Sequence, residues 1–525
     1  MSTNELSLPG PRTGAHPVVL GRRLQDLSYL ALAGLISSAV ALAIAVAVPK
    51  PNLLYIPVGL AGFLGVVYLM VSPRLEVSVG LLVFYLGCIN GPVKLIISAG
   101  VLSSGAQDVA MLAICVGLLV RLAAQRERVR LPALGGWVIA FALVVMIEAF
   151  NPKTAGLLKV LGGFRQQLQW VPFFFFGYLL MRSKNRFRNA FLLLGVIALA
   201  NGIVATVQTQ LTPEQIATWG PGYKLLTEIN TYTGGGVTRL RPLGLGGDSG
   251  FGGGVAVIAL PGTLALLTIM RRRRWLVIVL CLGAIVAAAT SLGRLQVGGT
   301  VVSALSFAFL AVRSGGDIGR PVRVMLGIVA IVIPLGILFV SAVGGSVFSR
   351  YESLATPESA VSTATGYKVS SLKQVPHEIA SAPFGFGLGV AGSVSGFGGK
   401  VEELLEGHNV TSETQPNFLV KELGVLGLLV WYALLARVIL LAVRRLREIQ
   451  DPELRISLVA TMAPLIGILA MSYDGPVSAS NALGAYFWFA VGVAAYWLAG
   501  PGRASLRTEP GGHPLTQLSA ISATT

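Results

Sequence analysis

The chain has 525 residues, of which 54% are hydrophobic and only 12% charged, against roughly 25% charged in ordinary soluble proteins. A water-soluble fold of this size could not cover its surface with so few charges. The net charge of +17 suggests a nucleic-acid partner until its distribution is read: Arg and Lys gather in short runs between apolar stretches, the pattern of loops flanking membrane spans, which argues against nucleic-acid binding.

Taken in chain order, residues 1–25 are rich in Gly, Pro and Ser and read as a disordered cytoplasmic tail. Residues 26–344 hold eleven predicted spans: 26–48, 53–71, 75–90, 107–124, 133–150, 157–181, 189–210, 251–270, 275–291, 295–312 and 324–344. A long extracytoplasmic loop, 345–415, precedes three more at 416–442, 456–473 and 480–500, and 501–525 is a second disordered cytoplasmic tail. These runs approach the length of about 20 residues that crosses a bilayer as a helix, and they lack the alternation of barrel strands. The expected fold is therefore all-α and polytopic, with about fourteen transmembrane helices. Ala45-Val46-Ala47 imitates a signal-peptide cleavage site, but the apolar run before it is too long, so an uncleaved helix is expected.

Loop charges supply the topology. Basic loops occur at Arg22 and Arg23, Arg74, Arg121 to Arg130, Arg182 to Arg188, Arg271 to Arg274, Arg313 to Arg323 and Arg444 to Arg455. With fourteen spans they all fall on the cytoplasmic side, as do both tails. Two loops on the other side are long, 211–250 and 345–415. Loops of this length are functional or disordered, so the chemistry is expected on the extracytoplasmic face.

Charges in or beside spans are functional candidates by default. Arg165 lies within a predicted helix with Gln169 one turn on; it either snorkels to the interface or contacts an anionic ligand. Arg241 precedes a Gly-rich helix start near Phe251, where Asp248 or Ser249 could serve as cap, and Arg239 is close enough to share its role. Arginine beside glycine-exposed backbone at a helix N-terminus suits phosphate. Arg294 occupies a very short outer turn and is either salt-bridged or open to an anion. Further on, Pro416 suits a first helical turn capped by Thr414 or Gln415. This puts Glu413 at a helix mouth, with Glu422 early in the helix and the Gly424/Gly427 pair available for close helix packing. His408 is the titratable imidazole near that mouth. Cys88, Cys115 and Cys281 lie far apart in apolar runs without metal-ligand spacing, and no metal or cofactor is expected.

The order of these pieces resembles the O-antigen ligase and O-antigen polymerase superfamily. The resemblance rests on the Arg165 helix, the Arg241 loop leading to Pro261, and the SLGR turn ending at Arg294. It continues through the long late loop, SAPFGFGLGVAG at 381–392 and NFLVKELGVLGLLVWY at 417–432, covering residues 157–445. It implies a metal-independent membrane glycosyltransferase of GT-C type in the cytoplasmic membrane of a bacterium. The donor would be a lipid-linked oligosaccharide on a polyprenyl diphosphate, the partner an acceptor glycan, and a flippase and a chain-length regulator the companions. Carried over, Arg241 and Arg294 would grip the diphosphate, with Arg165 and Arg239 near them. Ligases of the family place a His, followed by Asn, Ser or Gln, eleven residues before the first Gly of a GxxG motif. Here that Gly is Gly424 and the position holds Glu413; His408-Asn409 lies five residues earlier. Either Glu413 or His408 would then take the acceptor's proton, and a polymerase is expected over a ligase, with a secondary transporter as the rival from another class.

Overall fold

The computed structural model describes residues 55–72, 74–96, 101–124, 131–154, 156–234, 237–315, 351, 367–392, 414–473 and 475–502. The predicted spans 26–48 and 324–344, the tail 1–25 and nearly all of the tail 501–525 lie outside these residues. The fold is mostly helical. Among the described residues, seven helices are long and apolar enough to cross a membrane, and four shorter apolar helices accompany them.

Residues 55–79 with 109–124 form one compact unit. In it, α1 (Tyr55–Val71) packs Met70 against Ala113 of α4 (Val101–Ala124). The glycine at 117 lets α4 approach the Met70 carbonyl, and the Arg121 guanidinium donates to the carbonyls of Met70 and Ser72.

The remaining described residues form the second unit. It begins at Gly80, within α2 (Leu75–Phe84), which continues through a π turn into α3 (Asn90–Ile96), so the predicted span 75–90 runs a turn and a half further. After α5 (Gly135–Glu148), the single helix predicted over 157–181 is two: α6 (Leu157–Leu168) and α7 (Pro172–Leu180). Pro172, which has no N–H to donate, stands at the first position of the second piece. Then come α8 (Lys184–Gln210) and the segment 211–250, read as a loop in the sequence. This segment contains α9 (Pro213–Ala217), α10 (Pro221–Ile229) and a hairpin of β1 (Thr231–Gly234) with β2 (Val237–Leu240). A capping box of Thr212 with Gln215 starts α9.

The centre of this unit is α11 (Phe251–Ile269), buried along almost all its length. Around it stand α8, α12 (Arg274–Thr290), α13 (Arg294–Arg313) and α16 (Pro452–Met471), in contact through small residues as membrane helices require. Gly202 meets Gly283 and Ala287, Gly467 meets Gly299 and Ser303, and Ser303 donates to the Val257 carbonyl at 2.8 Å. The remaining helices are α14 (Tyr367–Ser381), α15 (Gln415–Arg445) and α17 (Leu483–Trp497), the last lying along α7.

These contacts fix which ends share a level. Lys184 and Arg188 pair with Asp451 and Glu453, the Arg445 guanidinium donates to Leu498 O, and the Trp497 indole donates to Met181 O. Because α8 runs alongside α12 in the same sense and α13 opposes α16, Arg271 to Arg274 and Arg313 belong to that same end. Four of the basic loops read from the sequence therefore meet at one end of the unit. The Arg241 loop, the Arg294 turn and the start of α15 lie at the other.

Candidate functional site

The Arg241 loop is held from below by two amide side chains seven residues apart, hence on one face of α8. Gln208 Oε1 accepts from the amides of Leu243 at 2.8 Å and Gly244 at 2.9 Å, while its Nε2 donates to Gly244 O at 3.1 Å. Asn201 Oδ1 accepts from the Leu245 amide at 2.9 Å, and its Nδ2 donates to the carbonyls of Gly87 and Ile197, each at 2.9 Å. Both side chains are buried. Loop backbone that would otherwise be orphaned in an apolar bundle is thus satisfied and fixed.

The loop closes onto the start of α11 through Gly250 N to Pro242 O, 3.3 Å. Gly250, in the left-handed region, is the N-cap and has no side chain with which to cap this helix. The expectation of Asp248 or Ser249 as cap fails here: only the Asp248 carbonyl engages, accepting from Phe251 N at 3.3 Å.

The Arg294 turn meets the same helix start. Gln296 lies against Gly250 and Gly253, and Ser291 against Gly253. Leu292, with φ 51°, adopts a left-handed conformation that costs a non-glycine residue about 1–2 kcal/mol. Burial of its side chain holds it there, and the turn aims Arg294 as the first residue of α13. Lys94 of α3 lies beside Gly247. Lys94, Asn201 and Gln208 are not among the residues singled out from the sequence, although two amides in an apolar span are a visible signal. The fold thus brings the Arg241 loop and the Arg294 turn to the start of one helix. The Arg241 Nε is buried and has no hydrogen-bond partner among the described residues.

The other predicted residues are placed differently. Arg239 sits on β2 and donates to the Thr209 carbonyl at 2.8 Å, tying the hairpin to the end of α8. Arg165 pairs with Asp108 at 2.5 Å, a partner neither of its sequence readings included. Beside that pair runs a chain of amides, Asn90 to Gln107 at 3.1 Å and Gln107 to Gln169 at 3.5 Å. Glu413 and His408 lie outside the described residues.

A second polar region was not foreseen. On α6, Leu157, Leu158 and Leu161 face outward while Lys159, Gln166 and Gln167 are buried. An irregular segment, Ala382–Gly392, runs between this helix and the first turns of α15. Such backbone is tolerated at membrane depth only where protein covers it. The fully buried Glu422 accepts from Gln167 Nε2 at 3.0 Å and from the Ala391 amide at 3.1 Å. Gln166 donates to Ala391 O at 3.1 Å, and Phe386 N to Lys421 O at 2.7 Å. Lys421 and Glu378, both nearly inaccessible, pair at 3.4 Å, and Asn417 bridges Glu378 at 3.1 Å and Ser371 O at 2.9 Å.

Gly424 is not the helix-packing position expected of it. With φ 62° and ψ −165° it kinks α15, and a side chain there would strike Pro383 and Phe384. Val425 N donates to Pro383 O at 2.9 Å across the gap. The expected Thr414 cap is present, accepting from Asn417 N. Glu422, read as a possible dipole partner of its helix, instead joins three segments.

Comparison of the chain with protein-family models, curated proteins and solved structures returns no match.

Proposed function

We propose that this chain is a membrane glycosyltransferase of GT-C type with about fourteen transmembrane helices. It moves a glycan from a polyprenyl-diphosphate carrier to an acceptor glycan at the extracytoplasmic face of a bacterial cytoplasmic membrane, as a polysaccharide polymerase. What supports this is the meeting of the Arg241 loop and the Arg294 turn at the start of α11, with the Arg241 Nε buried and unpartnered among the described residues. Guanidinium groups and a helix N-terminus are the components of a pyrophosphate cradle. The resemblance noted above points to the same two arginines.

In the reaction the acceptor hydroxyl oxygen bonds to the anomeric carbon as the bond from that carbon to the diphosphate oxygen breaks. The bonding pair leaves with the diphosphate, whose growing charge the arginines stabilise. The hydroxyl proton passes to Glu413 on the polymerase reading and to His408 on the ligase reading.

The test is transfer from a labelled polyprenyl-diphosphate glycan by the purified protein. Release of the diphosphate lipid is expected, which a transporter would not give. Arg241→Ala and Arg294→Ala should each slow it on the order of 10²–10³-fold, the loss seen when one charge-stabilising donor is removed. Normal chain lengths from either variant would defeat the proposal. A greater loss in Glu413→Gln than in His408→Ala would favour the polymerase; the reverse would favour the ligase.

A further inference from the structure

Arg271, Arg272, Arg273 and Arg274 fill the turn between α11 and α12. All four are exposed, and none forms an ion pair or side-chain hydrogen bond among the described residues. Their position makes this costly. Arg273 is the N-cap of α12 and Arg274 its first residue, no acidic residue lies in the first turn, and no side chain caps the helix. Four like charges therefore lie within one Debye length, and Arg273 and Arg274 sit at the positive end of the α12 dipole. Asp451 and Glu453 at this end of the unit are engaged elsewhere, with Lys184 and Arg188. Such an arrangement is stable where anions come from outside the protein.

The residues that follow identify the source of those anions. Trp275 is 69% exposed, and Ile278 and Val279, three and four residues on and so on the same face, are 38% and 40% exposed. Moving from the turn along α12, the outer surface presents guanidinium groups, then an indole, then aliphatic side chains. A membrane leaflet has the same order of layers: phosphate headgroups, interface, acyl chains. Inorganic phosphate would use the first layer and gain nothing from the other two.

We propose that Arg271 to Arg274 with Trp275 form a binding surface for anionic phospholipid. Guanidinium forks hold headgroup phosphates, and Trp275, Ile278 and Val279 lie along an acyl chain. The surface is at the opposite end of the unit from the Arg241 and Arg294 site and does not depend on the function proposed for it.

The full-length protein in detergent, titrated with phosphatidylglycerol or with phosphatidylethanolamine of identical acyl chains, tests this by native mass spectrometry. Each juxtamembrane arginine contributes about fivefold to the affinity for an anionic surface, so retention of phosphatidylglycerol should exceed that of phosphatidylethanolamine on the order of tenfold or more. The variant with all four arginines changed to Gln should lose that preference while keeping the same total lipid. Removing the charges could also invert the turn during insertion, so a second measurement leaves them in place. Brominated phosphatidylglycerol should quench the emission lost in Trp275→Phe more than brominated phosphatidylethanolamine does. Equal retention of both lipids, a preference that survives in the Gln variant, or equal quenching would overturn the proposal. Displacement of phosphatidylglycerol by millimolar inorganic phosphate would do so as well, by assigning the arginines to a free anion.

Discussion

The two polar regions of the larger unit are built on opposite plans. Between α6 and α15, charge is enclosed: Lys421 has Glu378, and Glu422 has Gln167 and the Ala391 amide. At the start of α11 the hydrogen bonds of Gln208 and Asn201 are spent on backbone, and the Arg241 Nε beside them is buried without a partner among the described residues. A network that satisfies its own charges holds a chain in place, and on the function proposed above the Arg241 guanidinium is oriented for a ligand. The Ala382–Gly392 seam is therefore read as framework and the α11 start as the working end.

The largest effect expected from this contrast lies in the framework. Lys421→Met leaves the Glu378 carboxylate buried without its cation, and loss of one partner of such a pair costs about 3–5 kcal/mol. A fall in thermal stability large enough to leave much of the protein unfolded in detergent is expected. The double variant Lys421→Met with Glu378→Leu should recover most of it, because the desolvation penalty goes with the charge. Failure of the second substitution to rescue the first would mean that the seam is not held by its charge balance.

The two regions were also unequally legible in the sequence. Arg241 and Arg294 each carry a signal of their own, a glycine-rich approach to a helix start and a very short outer turn, and local rules for anion sites found each separately. The Thr414 cap followed in the same way from Pro416, and the basic loops from their composition. The seam depends on partners remote in sequence. Gln167 and Glu422 are 255 residues apart, Arg165 and Asp108 57, and no periodicity reports such pairs. Gly424 illustrates the ambiguity: beside Gly427 it imitates a close-packing pair, and only the passage of Pro383 and Phe384 shows that its left-handed φ is what the site needs. One signal was present. The run from Ala382 to Gly392 alternates glycine with Phe, Leu and Val and is too apolar for a solvated loop. A chain that must bend and still be buried has this composition.

A smaller effect separates the two plans directly. Gln208→Ala strips the Leu243 and Gly244 amides of their acceptor in a buried loop, at about 1–3 kcal/mol for an unmade buried hydrogen bond. It should lower the melting temperature and, by loosening the loop, the transfer rate. Arg241→Ala should lower the rate alone. If Arg241→Ala were to destabilise the protein as much as Gln208→Ala, the guanidinium would belong to the framework and the distinction between the regions would fail.

The smallest effect concerns the basic end, where exposed charges do pair. Burial disfavours ionisation of Asp451, but the hydrogen bond from Lys184, the amides of Leu454 and Glu453 and the Lys184 charge outweigh it, so its pKa lies below the ordinary carboxylate value. A carboxylate depressed in the folded state contributes stability above its unfolded pKa of about 3.9, and that contribution disappears as pH falls through the folded value. Both partners are partly exposed, so screening limits the pair to under about 1 kcal/mol. Asp451→Asn removes the charge and keeps a side chain that caps α16 as well as Asp does. The melting temperatures of the two proteins should differ by a small, constant amount between pH 5 and pH 8 and converge below about pH 4. A gap that persists into acid would attribute the effect of Asp451 to its cap and not to its charge.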